Sequence, residues 1–278
     1  MSRSGWWTLL VAVLALPLFV APSLAGLLGW RLDSVISRLM IIGSVLVLLV
    51  WHGLPKEKVR AAVERRALRS FGLALGITVG VCCLYTIGLI MAKCESVRPE
   101  VFAARRIPAG LLTGILVSAI EEPVFRRWLP RRLELGRRRI VGAVLASFLY
   151  SLVHYIRPAK VPVADSYSLG DSLAVYEDMG LNLLNPFLDP APGIGLFLLG
   201  LLLCAVVRRG GLPWTIGIHA GVVFYMKADS SLLYWNHVDR HWLFGSAEYK
   251  YDGVLFWIVC ACLLVLVQAL PTKQLPDG

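Results

Sequence analysis

The chain has 278 residues, 57% of them hydrophobic and only 17% charged. A soluble domain carries about 25% charged residues, so a soluble globular protein is excluded and an integral membrane protein is expected. The formal net charge is +10; in a membrane protein such an excess collects in cytoplasmic loops, and no nucleic-acid partner is implied.

In chain order, eight apolar segments of about membrane length follow one another: 7–29, 35–54, 68–92, 107–128, 140–156, 194–207, 212–226 and 253–270. The first begins like a signal peptide, with Arg3, an apolar stretch and A-P-S-L-A, but its apolar run continues through Leu28. It reads as a first transmembrane helix. Helices are the expected spanning form, because lipid leaves no backbone group another partner. The predicted fold is therefore all-α: one polytopic domain over 1–278 with about eight transmembrane helices. No internal repeat and no low-complexity tract is visible.

The loops predict orientation. Lys56, Lys58, Arg60, Arg65, Arg66 and Arg69 fall in one, Arg126, Arg127, Arg131, Arg132 and Arg137 to Arg139 in a second, Arg208 and Arg209 in a third. With eight alternating spans all three lie on one side, the cytoplasmic one, and both termini with them. A bacterial cytoplasmic membrane is the expected location. Loops 155–193 and 227–252, which hold half of the 18 acids, fall outside, as must the mixed-charge loop 93–106. Pro158, Pro162, Pro186, Pro190 and Pro192 make a continuous helix in 155–193 unexpected and an irregular cap the natural reading. The aromatics of 227–252, among them Tyr234, Trp235 and Trp242, read as an interfacial anchor.

Five of the six cysteines fall in apolar runs and no CxxC occurs, so neither a disulfide framework nor a zinc motif is indicated. They read as small buried apolar residues.

The residues that carry chemistry begin at A-I-E-E-P-V-F-R-R-W, 119–128. A carboxylate in a span costs roughly 2.5–3.5 kcal/mol on insertion scales, so it is kept where it is paired, faces water or reacts. Helix neighbours point about 100° apart, so Glu121 and Glu122 cannot share one task. Glu122 and Arg126 are spaced i, i+4 and can pair, which leaves Glu121 pointing elsewhere. Pro123 has no N–H, so the carbonyl of Ala119 loses its usual partner and a bend is expected. His154 ends the run L-A-S-F-L-Y-S-L-V-H, and His219 lies within I-G-I-H-A-G. A carboxylate with an imidazole forms a general-base pair for water, and a second imidazole can donate to an oxyanion. His52, His237 and His241 lack such company and read as interfacial.

E-E-P-V-F-R, an apolar run ending in histidine, and I-G-I-H-A-G together resemble the CPBP (Abi-type) family of intramembrane proteases. That family includes the CAAX prenyl endopeptidases and bacteriocin-processing or immunity proteins. Its motifs are E-E-x-x-x-R, F-x-x-x-H, and a histidine followed four residues later by Asn or an apolar residue. The first is complete here as Glu121, Glu122 and Arg126. In the second, Tyr150 stands in place of Phe, four residues before His154. In the third, His219 is followed by Val223, which lacks the amide that helps bind the oxyanion in members with Asn. The resemblance spans 107 to 225, and it implies a catalytic core at 107–226, in the fourth to seventh spans. It implies a glutamic endopeptidase with no metal or other cofactor. Glu121 and His154 would activate water, Glu122 and Arg126 would brace the site, and His219 would stabilise the oxyanion. The partners would be membrane lipids and a peptide or protein substrate, membrane-anchored or not. Three rivals stand beside this reading: a zinc protease using the two histidines and a glutamate, a non-catalytic immunity or binding protein on the same fold, and a transporter with a carboxylate proton relay.

Overall fold

The computed structural model describes residues 3–52, 65–97, 106–133, 139–236, 240–246 and 250–269. Lys56, Lys58, Arg60, Arg137, Arg138 and His237, named above, lie outside the described residues. Helices dominate: α1 (Arg3–Leu28), α2 (Leu32–His52), α3 (Arg65–Met91), α4 (Arg106–Glu122), α5 (Arg139–Val153), α6 (Leu169–Asn182), α7 (Ala191–Gly210), α8 (Leu212–Leu232) and α9 (Val254–Ala269). Eight of these nine coincide with the eight apolar segments, and α6 is the addition. Val11–Leu28, α3, Ile107–Arg132 and α7 are long and apolar enough to cross a membrane, while α5 and α9 are shorter apolar helices. Leu73, Ile77, Leu84 and Ile87 on α3 point outward. Apolar side chains turned outward along a long helix suit lipid rather than water. The protein is an integral membrane protein.

Two compact units divide the chain. The first contains Met1–Val59 and His154–Leu188. Its core is Ala21 and Ala25 of α1, Leu32, Val35 and Ile36 of α2, and Val175 and Met179 of α6. Helix α6 stands where an irregular cap was expected. Its prolines flank it and none falls inside, so every interior N–H can bond. A capping box starts it. Asp171 N–H donates to Ser168 Oγ at 3.2 Å, and Ser168 N–H donates to Asp171 Oδ2 at 2.7 Å. The Ser168 hydroxyl, which donates to Asp171 Oδ2 at 2.7 Å, and then the Ser168 N–H hold the Asp171 carboxyl below the usual range.

The second unit contains Arg60–Val153 and Asp189–Gly278. Helix α8 lies between α3 and α4, and small residues set its depth. A Cβ on Gly217 would lie 2.5 Å from the carbonyl oxygen of Phe71, and one on Gly221 would lie 2.8 Å from Thr78 Cβ, both on α3. On α4, a Cβ on Gly114 would lie 2.6 Å from the Ala220 carbonyl oxygen. Apolar bulk has no advantage between helices in lipid, so close backbone approach through small residues supplies the packing. Gly200 of α7 packs in the same way on Ser147 of α5.

One feature departs from an all-helical plan. Strands β1 (Glu95–Val97) and β2 (Leu233–Trp235) pair antiparallel, Ser96 opposite Tyr234. Beside them, Lys250 is buried and pairs with Glu95 and, at 3.6 Å, with Asp229, while its ammonium sits 4.1 Å from the Trp235 ring centre. The loop read as an aromatic anchor thus also carries a buried ion cluster. Burial, and then the charge of Asp229, raise the Glu95 carboxyl above its ordinary range, although Lys250 pulls it down. A raised carboxyl favours folding at low pH, and this contribution is lost as pH rises through its folded value. Thermal melts in detergent from acid to neutral pH are expected to show that decline. Glu95→Gln should remove part of the slope, and an unchanged slope in the variant contradicts the assignment.

Candidate active site

The site lies in the second unit, where α4, α5 and α8 face one another. Helix α4 changes pitch there. Pro123–Trp128 is a π-helical stretch before a final turn, Leu129–Arg132. The N–H of Leu129 donates to the carbonyl of Val124, five residues back. The bend expected from Pro123 therefore takes the form of a widened turn. Such turns are frequent at functional sites.

The two glutamates are sorted by burial. The Glu122 side chain is 0% exposed and that of Glu121 27%, so Glu121 is the more open of the two. Glu122 Oε1 accepts from His219 Nδ1 at 2.8 Å. Its other oxygen, Oε2, lies 3.4 Å from Arg126 Nε. The i, i+4 spacing foretold the arginine contact, and the histidine contact is the shorter of the two. A buried carboxylate needs such partners, since desolvation costs several kcal/mol per ion.

The bond to Glu122 also sets the imidazole. Nδ1 carries a hydrogen, because an ionised carboxylate only accepts. Nε2 then faces Glu121 Oε2 at 3.9 Å and the Tyr150 hydroxyl at 3.4 Å. Two polar atoms 3.9 Å apart can both bond one water at ordinary hydrogen-bond lengths. The arrangement can thus place a water between a carboxylate and an imidazole.

Tyr150, on α5, is fully buried. The Arg126 guanidinium carbon sits 4.2 Å from the centre of its ring, and Phe125 meets the ring edge-to-face at 5.3 Å. In the sequence this residue stands out only as a departure from Phe in the second motif. The signal was present, since a hydroxyl at that motif position is a polar group inside an apolar helix.

The structure therefore brings together Glu121, Glu122, Arg126 and His219. His154 follows α5 directly and belongs to the first unit. Among the described residues, no three His, Cys, Asp or Glu side chains form a metal-ligand group.

Residues 103–225 match the family model of the type II CAAX prenyl endopeptidase Rce1-like proteins. Over that segment the chain is similar to the Rce1-like family. No curated protein and no solved structure matches it. The Rce1-like segment begins just before α4 and ends within α8, so it takes in Glu121, Glu122, Arg126, Tyr150, His154 and His219. The match likens this segment to a family of prenyl endopeptidases.

Glu122 and Glu121 should part company in stability measurements. Glu122→Ala leaves the buried Arg126 without its carboxylate and is expected to cost about 3–5 kcal/mol. Glu121→Ala, at the more open residue, should cost far less. Unfolding titrations in detergent check the pair, and equal losses would contradict the sorting by burial.

Proposed function

We propose that this protein is an intramembrane endopeptidase that hydrolyses a peptide bond with a glutamate-activated water and no metal. The observation that carries the reading is the line Glu122, His219, Glu121. A buried carboxylate orients an imidazole, whose free face meets a second, more open carboxylate. Glu121 takes the proton from water, and the resemblance gives His154 a share in that step. Water oxygen attacks the carbonyl carbon, and the carbonyl oxygen becomes an oxyanion beside His219. Glu121 then passes the proton to the leaving nitrogen as the C–N bond breaks. Glu122 and Arg126 hold His219 in place.

The family description names a prenyl endopeptidase, so a farnesylated peptide with a C-terminal CaaX sequence is the first substrate class to test. The membrane setting suits a substrate whose lipid anchor stays in the bilayer. The chain is expected to work in a bacterial cytoplasmic membrane with both termini in the cytoplasm. Glu121→Gln should lower turnover of a fluorogenic farnesylated peptide by about 10²–10⁴, the span of general acid–base catalysis. Turnover equal to wild type sinks the reading.

A zinc enzyme on the same residues predicts a different response. Activity of the purified protein is expected to survive prolonged treatment with 1,10-phenanthroline. Loss that added zinc restores would favour the metal reading. Val223, which cannot donate a hydrogen bond, lends some support to a non-catalytic immunity or binding role. In that case the biological effect persists in Glu121→Gln.

A further inference from the structure

The third motif poses a chemical problem that the second solves. An oxyanion in a site of low dielectric needs more than one donor aimed at it. Val223, one turn after His219 on α8, offers no hydrogen. His219 offers one only in part of its proton cycle. Its Nδ1 hydrogen is committed to Glu122 Oε1 at 2.8 Å, so Nε2 donates only while the ring is cationic. A phenol carries its hydrogen throughout.

The geometry points to Tyr150 as the second oxyanion donor, a catalytic residue for the proposed hydrolysis. Its hydroxyl lies 3.4 Å from His219 Nε2, on the imidazole edge that also faces Glu121 at 3.9 Å. The two groups can therefore point their hydrogens at one oxygen. The phenol is also held rigidly. Arg126 covers its face at 4.2 Å, Phe125 meets it at 5.3 Å between ring centres, and His219 meets it edge-to-face at 6.0 Å. A donor fixed before reaction costs no reorganisation when charge develops.

The chemistry balances without a further reactant. As the water oxygen bonds to carbon, the carbonyl π pair moves to oxygen, and the Tyr150 hydroxyl hydrogen-bonds that oxygen without transferring its proton. When the C–N bond breaks, the pair returns to the carbonyl and the nitrogen leaves with the proton from Glu121. Tyr150 thus takes the place of the absent amide at position 223.

This role rests on the endopeptidase reading, and the test separates the two. Wild type, Glu121→Gln, Tyr150→Phe and the Tyr150→Phe, Val223→Asn double variant are assayed on the fluorogenic farnesylated CaaX peptide. Phenylalanine keeps the ring and its packing on Arg126 and Phe125, so only the hydroxyl is lost. The expected result is a fall in kcat of about 10²–10³, the effect of removing one oxyanion donor, with KM unchanged and part of kcat recovered in the double variant. A fluorinated tyrosine at 150 retains the packing and is expected to shift the alkaline limb of the kcat–pH profile downward, which a packing role would not do. Wild-type kcat in Tyr150→Phe, or a loss carried by KM, overturns the donor role while Glu121-dependent turnover stands. Wild-type protein with no Glu121-dependent turnover overturns the endopeptidase reading and the donor role with it.

Discussion

The bond from His219 Nδ1 to Glu122 Oε1, 2.8 Å long and wholly buried, is the constraint on which the site depends. It joins α4 to α8 across 97 residues of sequence. It also divides the labour of two adjacent glutamates. Helix geometry turns them about 100° apart, and the histidine and Arg126 claim the one that points inward. The other is left at the more open position, against the far edge of the same imidazole. Buried ions persist where hydrogen bonds and countercharge offset desolvation, and Glu122 has both.

The surrounding fold makes that bond possible. Gly217 and Gly221 share a helix face and let α8 lie against α3, while Gly114 lets α4 reach the backbone at Ala220. His219, between the two glycines in sequence, is carried to the opposite side, toward α4. On α4 the widened turn at 123–128 carries Arg126 and Phe125 to Tyr150. Apolar residues cover the outside of α3 and polar ones are gathered within, the distribution expected where ionisable groups are kept in a membrane for use. The Rce1-like match over 103–225 takes in α4, α5 and the part of α8 that carries His219.

Much of this was legible in the sequence, because the signals are local. Apolar runs marked eight of the helices, i, i+4 spacing marked the Glu122–Arg126 contact, and Pro123 marked a break in regular helix. What escaped were pairings between distant residues. Nothing in the chain's order says that Glu122 takes His219, that Lys250 takes Glu95, or that 95–97 pairs with 233–235. Helix α6 was missed for a different reason. Prolines flank it closely on both sides, and its start is marked only by Ser168 and Asp171, whose spacing is a helix-start signal. Tyr150 was seen only as a substitution, because its hydroxyl gains meaning from the atoms opposite it on α8.

The most direct test is an experimental structure of the protein with a farnesylated phosphinate peptide, whose tetrahedral phosphorus mimics the attacked carbon. The account predicts one phosphinate oxygen within hydrogen-bond distance of His219 Nε2 and the other facing the Glu121 carboxylate, with Glu122 still bonded to His219 Nδ1. A phosphinate seated away from Glu121 and His219, or bound through a metal ion, would contradict it.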